Sequence, residues 1–203
     1  MNNSFPEEEL QKKCLEIVKE VLREKYVDLF IGNFILKEDD KKKTSNISCT
    51  ISFSNEWKNV KIKGNGCGIV DALINAMTTQ FGEEFGSLRR VEFDDFAMRV
   101  KFKSNLVRRA AAPVEIKLAL KNKRGQRMYF VAESRSMVVA AITVIRKAFE
   151  YLINAEHAIL QLHESIIEAT QRNRRDLVRI YTDQMVRLVR ILSYEEVIKK
   201  INK

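Results

Sequence analysis

Twice along this chain, three short segments of alternating apolar residues give way to a stretch with helical periodicity, and that order of periods restricts the fold more than any other feature. In the first round the strand signals are Asp28 to Leu36, Asn46 to Ser54 and Trp57 to Lys63. Ile47, Cys49, Ile51 and Phe53 alternate there with small polar residues, and Val60 and Ile62 repeat the pattern. The segment Lys37 to Ser45 reads as a charged loop, and Asn55-Glu56 turns the chain back. Gly64, Gly66 and Gly68 are expected to end the third strand and lead into a helix from Ile69 to Phe81, with Val70, Leu73, Ile74 and Met77 on one face. Gly82 and Gly86 offer a left-handed cap to close it. The second round opens with Leu88 to Phe102, where Val91 and Phe93 are in one phase and Phe96, Met98, Val100 and Phe102 in the other. The shift at Asp94-Asp95 predicts a bulge. Ala112 to Asn122, a Lys123-Arg124-Gly125 turn and Gln126 to Glu133 follow, and a helical pattern starts near Ser136. Residues 28–154 thus read as a βββα repeat whose halves share little residue identity. Antiparallel hairpins feeding helices predict an α+β fold with helices packed on an antiparallel sheet.

Helical patterns flank this repeat. Leu10, Cys14, Ile17, Val18, Val21 and Leu22 form one face of a helix between Pro6 and Tyr26, with Ser4 as cap and three glutamates matched to the helix dipole. At the other end Ile145, Phe149, Leu152, Ile159, Leu162 and Ile166 keep the helical period to about Thr170. The polar run Gln171 to Arg175 predicts a break, and Leu177, Ile180, Tyr181, Gln184, Leu188 and Ile191 define another helical face. Ser193 with Glu196 resembles a capping box opening a short last helix through Val197, Ile198 and Ile201. The expected organisation is an N-terminal helix over 1–27, a repeat domain over 28–154 and a helical extension over 155–203. Short isolated helices are marginal in water, so the extension needs a surface from the domain or from a second copy of the chain. Its apolar stripes point to a homodimer.

Composition narrows the partners. With 203 residues, 45% hydrophobic and 31% charged, the chain can bury one sizeable core. No stretch approaches the roughly 20 apolar residues of a bilayer span, and residues 1–10 are acidic where a signal peptide is basic and then apolar. The expectation is a cytoplasmic protein with no membrane contact. Cys14, Cys49 and Cys67 are too few and too scattered for a disulfide framework or a zinc site. The net charge of +9 sits mostly in residues 57–135, where 16 Lys and Arg face 8 Asp and Glu. Such a surplus attracts nucleic acid or anionic metabolites, or simply marks a solvated sheet face. Few aromatics interleave with these basic residues, which counts against single-stranded nucleic acid.

No catalytic constellation stands out. The two histidines, His157 and His163, lie six residues apart on a helix, which turns them about 240° from one another. Asp94 and Asp95 are adjacent and would point to opposite faces of a strand. No nucleophile elbow, metal-binding H-E-x-x-H or phosphate-loop lysine is present, so neither an enzyme nor a bound cofactor or metal is expected. The strongest local signal is the run Gly64 to Ala72, where a glycine segment leaves a strand and opens a helix. Backbone amides at a helix start bind carboxylate or phosphate. The same glycines also suit a tight strand-to-helix turn, with Asp71 as no more than a first-turn carboxylate.

Within that run, Gly66-Cys67-Gly68-Ile69-Val70-Asp71-Ala72 resembles the G-x-G-P-V-D-A signature in the regulatory domain of α-isopropylmalate synthases and citramalate synthases, with Ile69 in place of proline. The resemblance covers roughly Asp28 to Asn154. It implies a pseudo-symmetric βββα repeat that pairs with a second copy and binds a feedback amino acid, leucine or isoleucine, near the dimer interface. It also implies that the second strand-to-helix junction contributes to the site. Here that junction reads Ala132-Glu133-Ser134-Arg135-Ser136-Met137 where the family tends to place glycines and an aspartate. Arg135 could fill the pocket or replace a contact to a carboxylate. The candidate ligand-binding residues are therefore Gly64, Gly66, Gly68, Ile69, Val70, Asp71, Ala72, Ser134, Arg135 and Ser136. No counterpart of the family's catalytic barrel is expected, because only residues 1–27 precede the matching region. The expected function is a ligand-sensing, dimerising regulatory domain for a separately encoded synthase. The alternatives are a protein-interaction scaffold without a ligand and, less favoured, nucleic-acid binding.

Overall fold

The computed structural model describes residues 6–54, 56–101 and 112–192. Among these residues six strands and four α-helices follow one another as α1 (Pro6–Leu22), β1 (Leu29–Asp39), β2 (Thr44–Phe53), β3 (Glu56–Gly66), α2 (Ile69–Phe81), β4 (Glu92–Val100), β5 (Val114–Lys121), β6 (Arg127–Ser134), α3 (Met137–Gln171) and α4 (Arg175–Ile191). The βββα order occurs twice. The strands form two antiparallel three-stranded sheets, β1-β2-β3 and β4-β5-β6, where the sequence suggested one. The fold is α+β with an N-terminal helix and C-terminal helices, as the alternating and helical periods imply.

Alternation decides which face each sheet buries. Leu29, Ile47, Cys49, Ile51 and Ile62 face inward from the first sheet, and Ile116, Leu118, Leu120, Met128 and Phe130 from the second. Helix α2 packs on β2 and β3, and α3 packs on β5 and β6 and reaches across to β1. Their Leu73, Met77, Ile145, Leu152 and Ile153 join these strands, and Cys14, Val18 and Leu188 from α1 and α4, in one hydrophobic cluster. Helix α3 passes through residue 154 without interruption.

Several local expectations change. The first hairpin is longer, because β1 runs to Asp39 and leaves a tight turn, in which Asp39 Oδ1 accepts from the Lys41 and Lys42 amides, both at 3.1 Å. Strand β3 does not stop before the glycines but continues through Gly64 to Gly66. Gly82 closes α2 with right-handed torsions (φ −70°), so no left-handed glycine cap is used there. The one positive-φ glycine among the described residues is Gly125, at 81°, in the β5–β6 turn. The segment from Leu88 opens as a 3₁₀ turn over Gly86–Arg89 before β4 begins. Helix α1 ends at Leu22, with a 3₁₀ turn over Arg23–Lys25 where the helix was expected to reach Tyr26. The bulge at Asp94 is present, since the β4–β5 register shifts between Phe93 and Asp95. The proposed caps at Ser4 and at Ser193 with Glu196 lie outside the described residues.

The apolar stripe that suggested a dimer is largely used within the chain. Ile159 and Leu162 are buried, Ile166 and Leu177 are half-buried, and α3 and α4 pack as a hairpin with α1 against it. Ile167, Ile180 and Val186 remain exposed.

Candidate functional site

The first strand-to-helix junction is built by close approach. Helix α2 folds straight back over β3, and a Cβ on Gly64 would lie 2.7 Å from Ala76 Cβ and closer still to the Ala72 carbonyl oxygen. One on Gly66 would lie 2.5 Å from the Ala72 nitrogen and 2.5 Å from Asp71 Oδ2. Glycine is required at both positions because real Cβ contacts are never so short, and not because of left-handed torsions. Ala72 and Ala76, both buried, are the small residues that complete this contact.

Asp71 locks the turn. Its Oδ2 accepts from the Cys67 amide at 2.9 Å, and Asn75 Nδ2 donates to Asp71 Oδ1 at 3.3 Å and to the Asn65 carbonyl at 3.0 Å. The carboxylate therefore holds the strand exit to the first helical turn.

Gly68 differs from its neighbours. It occupies the N-cap with extended torsions (φ −162°, ψ 175°), offers no side-chain cap, and has no atom within 4 Å of where a Cβ would stand. The first bond of α2 runs from the Ala72 amide to the Gly68 carbonyl at 2.9 Å, so the amides of Ile69, Val70 and Asp71 precede any intrahelical acceptor. Ile69 and Val70 are half-buried beside them. The helix start thus presents amides, the positive end of a helix dipole and two apolar side chains, with space in front of the cap.

The second junction is arranged differently. Ser136 caps α3 by accepting from the Val139 amide at 3.3 Å, and Ser134 Oγ accepts from the Ser136 amide at 3.2 Å. Arg135 is exposed. Of the two repeats, one helix start is left bare and the other is closed by its own serine.

Two cavities lie near the sheets, and one of them reaches the strand end of the first junction. A shallow, open depression of about 480 Å³ on the outer face of the first sheet is lined by Ile35, Lys37, Asn46, Lys63, Gly64 and Asn65. A more enclosed one of about 150 Å³ lies between α2, α3 and the second sheet, against Ile74, Thr78, Leu88, Phe93, Leu118 and Phe149. Neither lining includes Ile69, Val70 or the Ser134–Ser136 turn.

Among the described residues no cluster of three His, Cys, Asp or Glu could hold a metal ion, and no helix is long and apolar enough to cross a membrane. His157 stacks edge-on against Phe85 with ring centroids 5.1 Å apart. Cys14, Cys49 and Cys67 are all free thiols. The basic middle of the chain is partly neutralised on the second sheet. Lys101 bridges Glu115 (2.5 Å) and Glu133 (2.8 Å), while Asp94 pairs with Arg127 (2.8 Å). The hydrogen bond from Lys101 holds the Glu115 carboxyl below its usual range.

Sequence reasoning missed a polar ladder on α3. Arg146, Glu150 and Asn154, spaced four apart on one helix face, bind the backbone at the start of β1. Arg146 donates to the Leu29 carbonyl (2.7 Å), Glu150 accepts from the Leu29 amide (3.0 Å), and Asn154 both accepts from the Val27 amide (2.8 Å) and donates to the Val27 carbonyl (2.7 Å). The i, i+4, i+8 spacing of three polar residues on one helix face was the available signal, though it reads equally as a solvated stripe.

No protein-family model matches the chain, and no curated protein matches it.

Proposed function

We propose that this protein is a non-catalytic regulatory domain that senses a small carboxylate, with a branched-chain amino acid as the leading candidate, and that acts as a homodimer on a partner enzyme such as a separately encoded synthase. The observation that carries the reading is the bare start of α2. Gly68 leaves the N-cap open while the equivalent start of α3 is capped by Ser136. A carboxylate there would take the amides of Ile69 and Val70, and the side chains of those residues would border its apolar part.

The second reading, an interaction scaffold without a ligand, is favoured by the packing of the junction. Gly64, Gly66, Asp71 and Ala72 are all accounted for by strand-to-helix contact, so most of the motif needs no ligand to explain it. Nucleic-acid binding is a weaker third, given the internal ion pairs on the second sheet.

Thermal shift and calorimetry with leucine, isoleucine, valine and their 2-oxo acids, on wild type and Gly68→Ser, separate these. Serine fits the open N-cap and supplies its own acceptor, so the variant should fold as well as wild type, gaining a few tenths of a kcal/mol. Its affinity for the carboxylate should fall at least tenfold. An absence of heat and stability shift with every compound on the wild-type protein rejects sensing and leaves the scaffold reading.

A further inference from the structure

We propose that β4 pairs antiparallel with β4 of a second copy of this chain, joining two three-stranded sheets into one six-stranded sheet. The proposal rests on the pairing part of the reading above and is independent of whether a ligand binds.

Parts of two other strand edges are bound within the chain. The start of β1 is held at Leu29 by Arg146 and Glu150, and Asn154 holds Val27 just before it. On the β6 edge, Gln11 of α1 both donates to the Tyr129 carbonyl (3.0 Å) and accepts from the Tyr129 amide (2.7 Å), and Lys147 donates to the Val131 carbonyl (2.9 Å). Strand β4 has much less. The Lys101 amide donates to the Pro113 carbonyl at 2.9 Å, on the β5 side, so by alternation Phe96, Met98 and Val100 direct their backbone groups to the open edge. Of these, the Phe96 amide is met by the Asp95 carboxylate at 2.8 Å. Among the described residues, no side chain meets the amides or carbonyls of Met98 and Val100.

The same strand exposes apolar side chains on the sheet's core-facing side. Phe96, Met98 and Val100 stand opposite Leu118, Ile116 and Val114, whose side of the sheet is the buried one. Yet Phe93 is 47% exposed, Met98 53% and Val100 41%, because α3 covers β5 and β6 and stops short of β4. An open edge with an uncovered apolar row is the kind of surface that proteins otherwise protect.

The sequence of β4 selects its own copy as the occupant. With the two-fold axis at Ala97, Phe96 faces the other chain's Met98 as a hydrogen-bonded pair once the Asp95 carboxylate turns from the Phe96 amide to the other chain's Arg99, and both chains' exposed apolar rows become continuous. On the opposite face Asp95 meets Arg99, and symmetry makes that ion pair twice. Neither side chain is in an ion pair within its own chain among the described residues. Arg99 stands opposite Glu115, whose carboxylate is held by Lys101. The small Ala97 lets the strands meet at the axis. Moving the axis to Met98 would set Asp95 against Lys101, already held by two carboxylates, and moving it to Arg99 would stack two guanidinium groups.

The test combines mass measurement with cross-linking on the full chain. Light scattering and sedimentation should give a dimer for wild type. Arg99→Asp and Asp95→Arg should each weaken it at least tenfold, because like charges then meet twice. The double swap Asp95→Arg/Arg99→Asp should restore it. In a Cys67→Ser background, Ala97→Cys should form a disulfide-linked dimer on mild oxidation, since Cα atoms in such a pair lie about 4.5 Å apart, within disulfide range. A wild-type monomer, a dimer indifferent to both charge reversals, or an Ala97→Cys protein that stays monomeric after oxidation would each overturn the proposal. Ligand heats measured on the same samples report separately on sensing.

Discussion

Three glycines within five residues should respond differently to the same substitution. In Gly64→Ala the new methyl would lie 2.7 Å from Ala76 Cβ and closer to the Ala72 carbonyl oxygen, and the backbone of β3 or α2 must move to admit it. In Gly66→Ala the conflicts at 2.5 Å are with the Ala72 nitrogen and with Asp71 Oδ2, the oxygen that also accepts from Cys67. Overpacking that displaces backbone costs about 2 to 4 kcal/mol. At about 2 to 4 °C per kcal/mol for a chain of this size, that lowers Tm by roughly 4 to 16 °C. Gly68→Ala meets nothing within 4 Å, and its extended torsions suit any residue. There the entropy gain of alanine in the unfolded chain, about 0.4 to 1 kcal/mol, opposes the poor N-cap preference of alanine, so the net change should stay within about 0.5 kcal/mol. Adding Ala76→Gly to Gly64→Ala should recover little, because the shortest conflict is with the Ala72 backbone. Urea titrations read by their midpoints, with unchanged slopes, give the comparison. If Gly64→Ala proves as stable as Gly68→Ala, the explanation of the motif by close packing is wrong.

Asn154→Ala should destabilise the fold by about 2 to 4 kcal/mol in urea titration, because it strands the Val27 amide and carbonyl beside a buried side chain. A loss under 1 kcal/mol would show that water replaces the side chain. Burial pushes the Cys14 and Cys49 thiols up to about 11 from 9.0. Their folded pKa values lie above the unfolded ones, so their contribution is complete below pH 9 and is lost as pH rises from about 9 to 11. Denaturation midpoints should fall across that window and fall less in Cys49→Ala; equal slopes in both proteins would refute the assignment. In native protein a thiol reagent should modify Cys67 quickly and the two buried thiols only on unfolding. Rapid modification of all three would contradict the packing of α1 and β2.

The elements were legible where one periodicity held over many residues. Alternation at Ile47, Cys49 and Ile51 places β2, and the phase change at Asp94 places the bulge in β4, because side-chain direction in a strand follows position directly. What alternation does not carry is how strands divide between sheets, so two sheets replaced the single one expected. The motif residues were found, but their packing was not. A glycine run reads equally as a turn or as a close contact, and only the position of α2 over β3 shows that Gly64 and Gly66 are contacts and Gly68 is not. The α3 ladder was hidden because Arg146, Glu150 and Asn154 look like ordinary solvated positions until their backbone partners, more than 100 residues earlier, are in place. The β4 row was read only as strand, since whether a helix covers an apolar face depends on the three-dimensional path of α3.

The most direct test of the sensing claim is a titration of ¹⁵N-labelled protein with leucine, following individual backbone amides. Saturable shifts are expected at Ile69, Val70 and Asp71, with the Val139 amide unmoved because Ser136 already occupies it. If those three amides stay still up to millimolar leucine, or if Val139 moves while they do not, the bare start of α2 is not the carboxylate site.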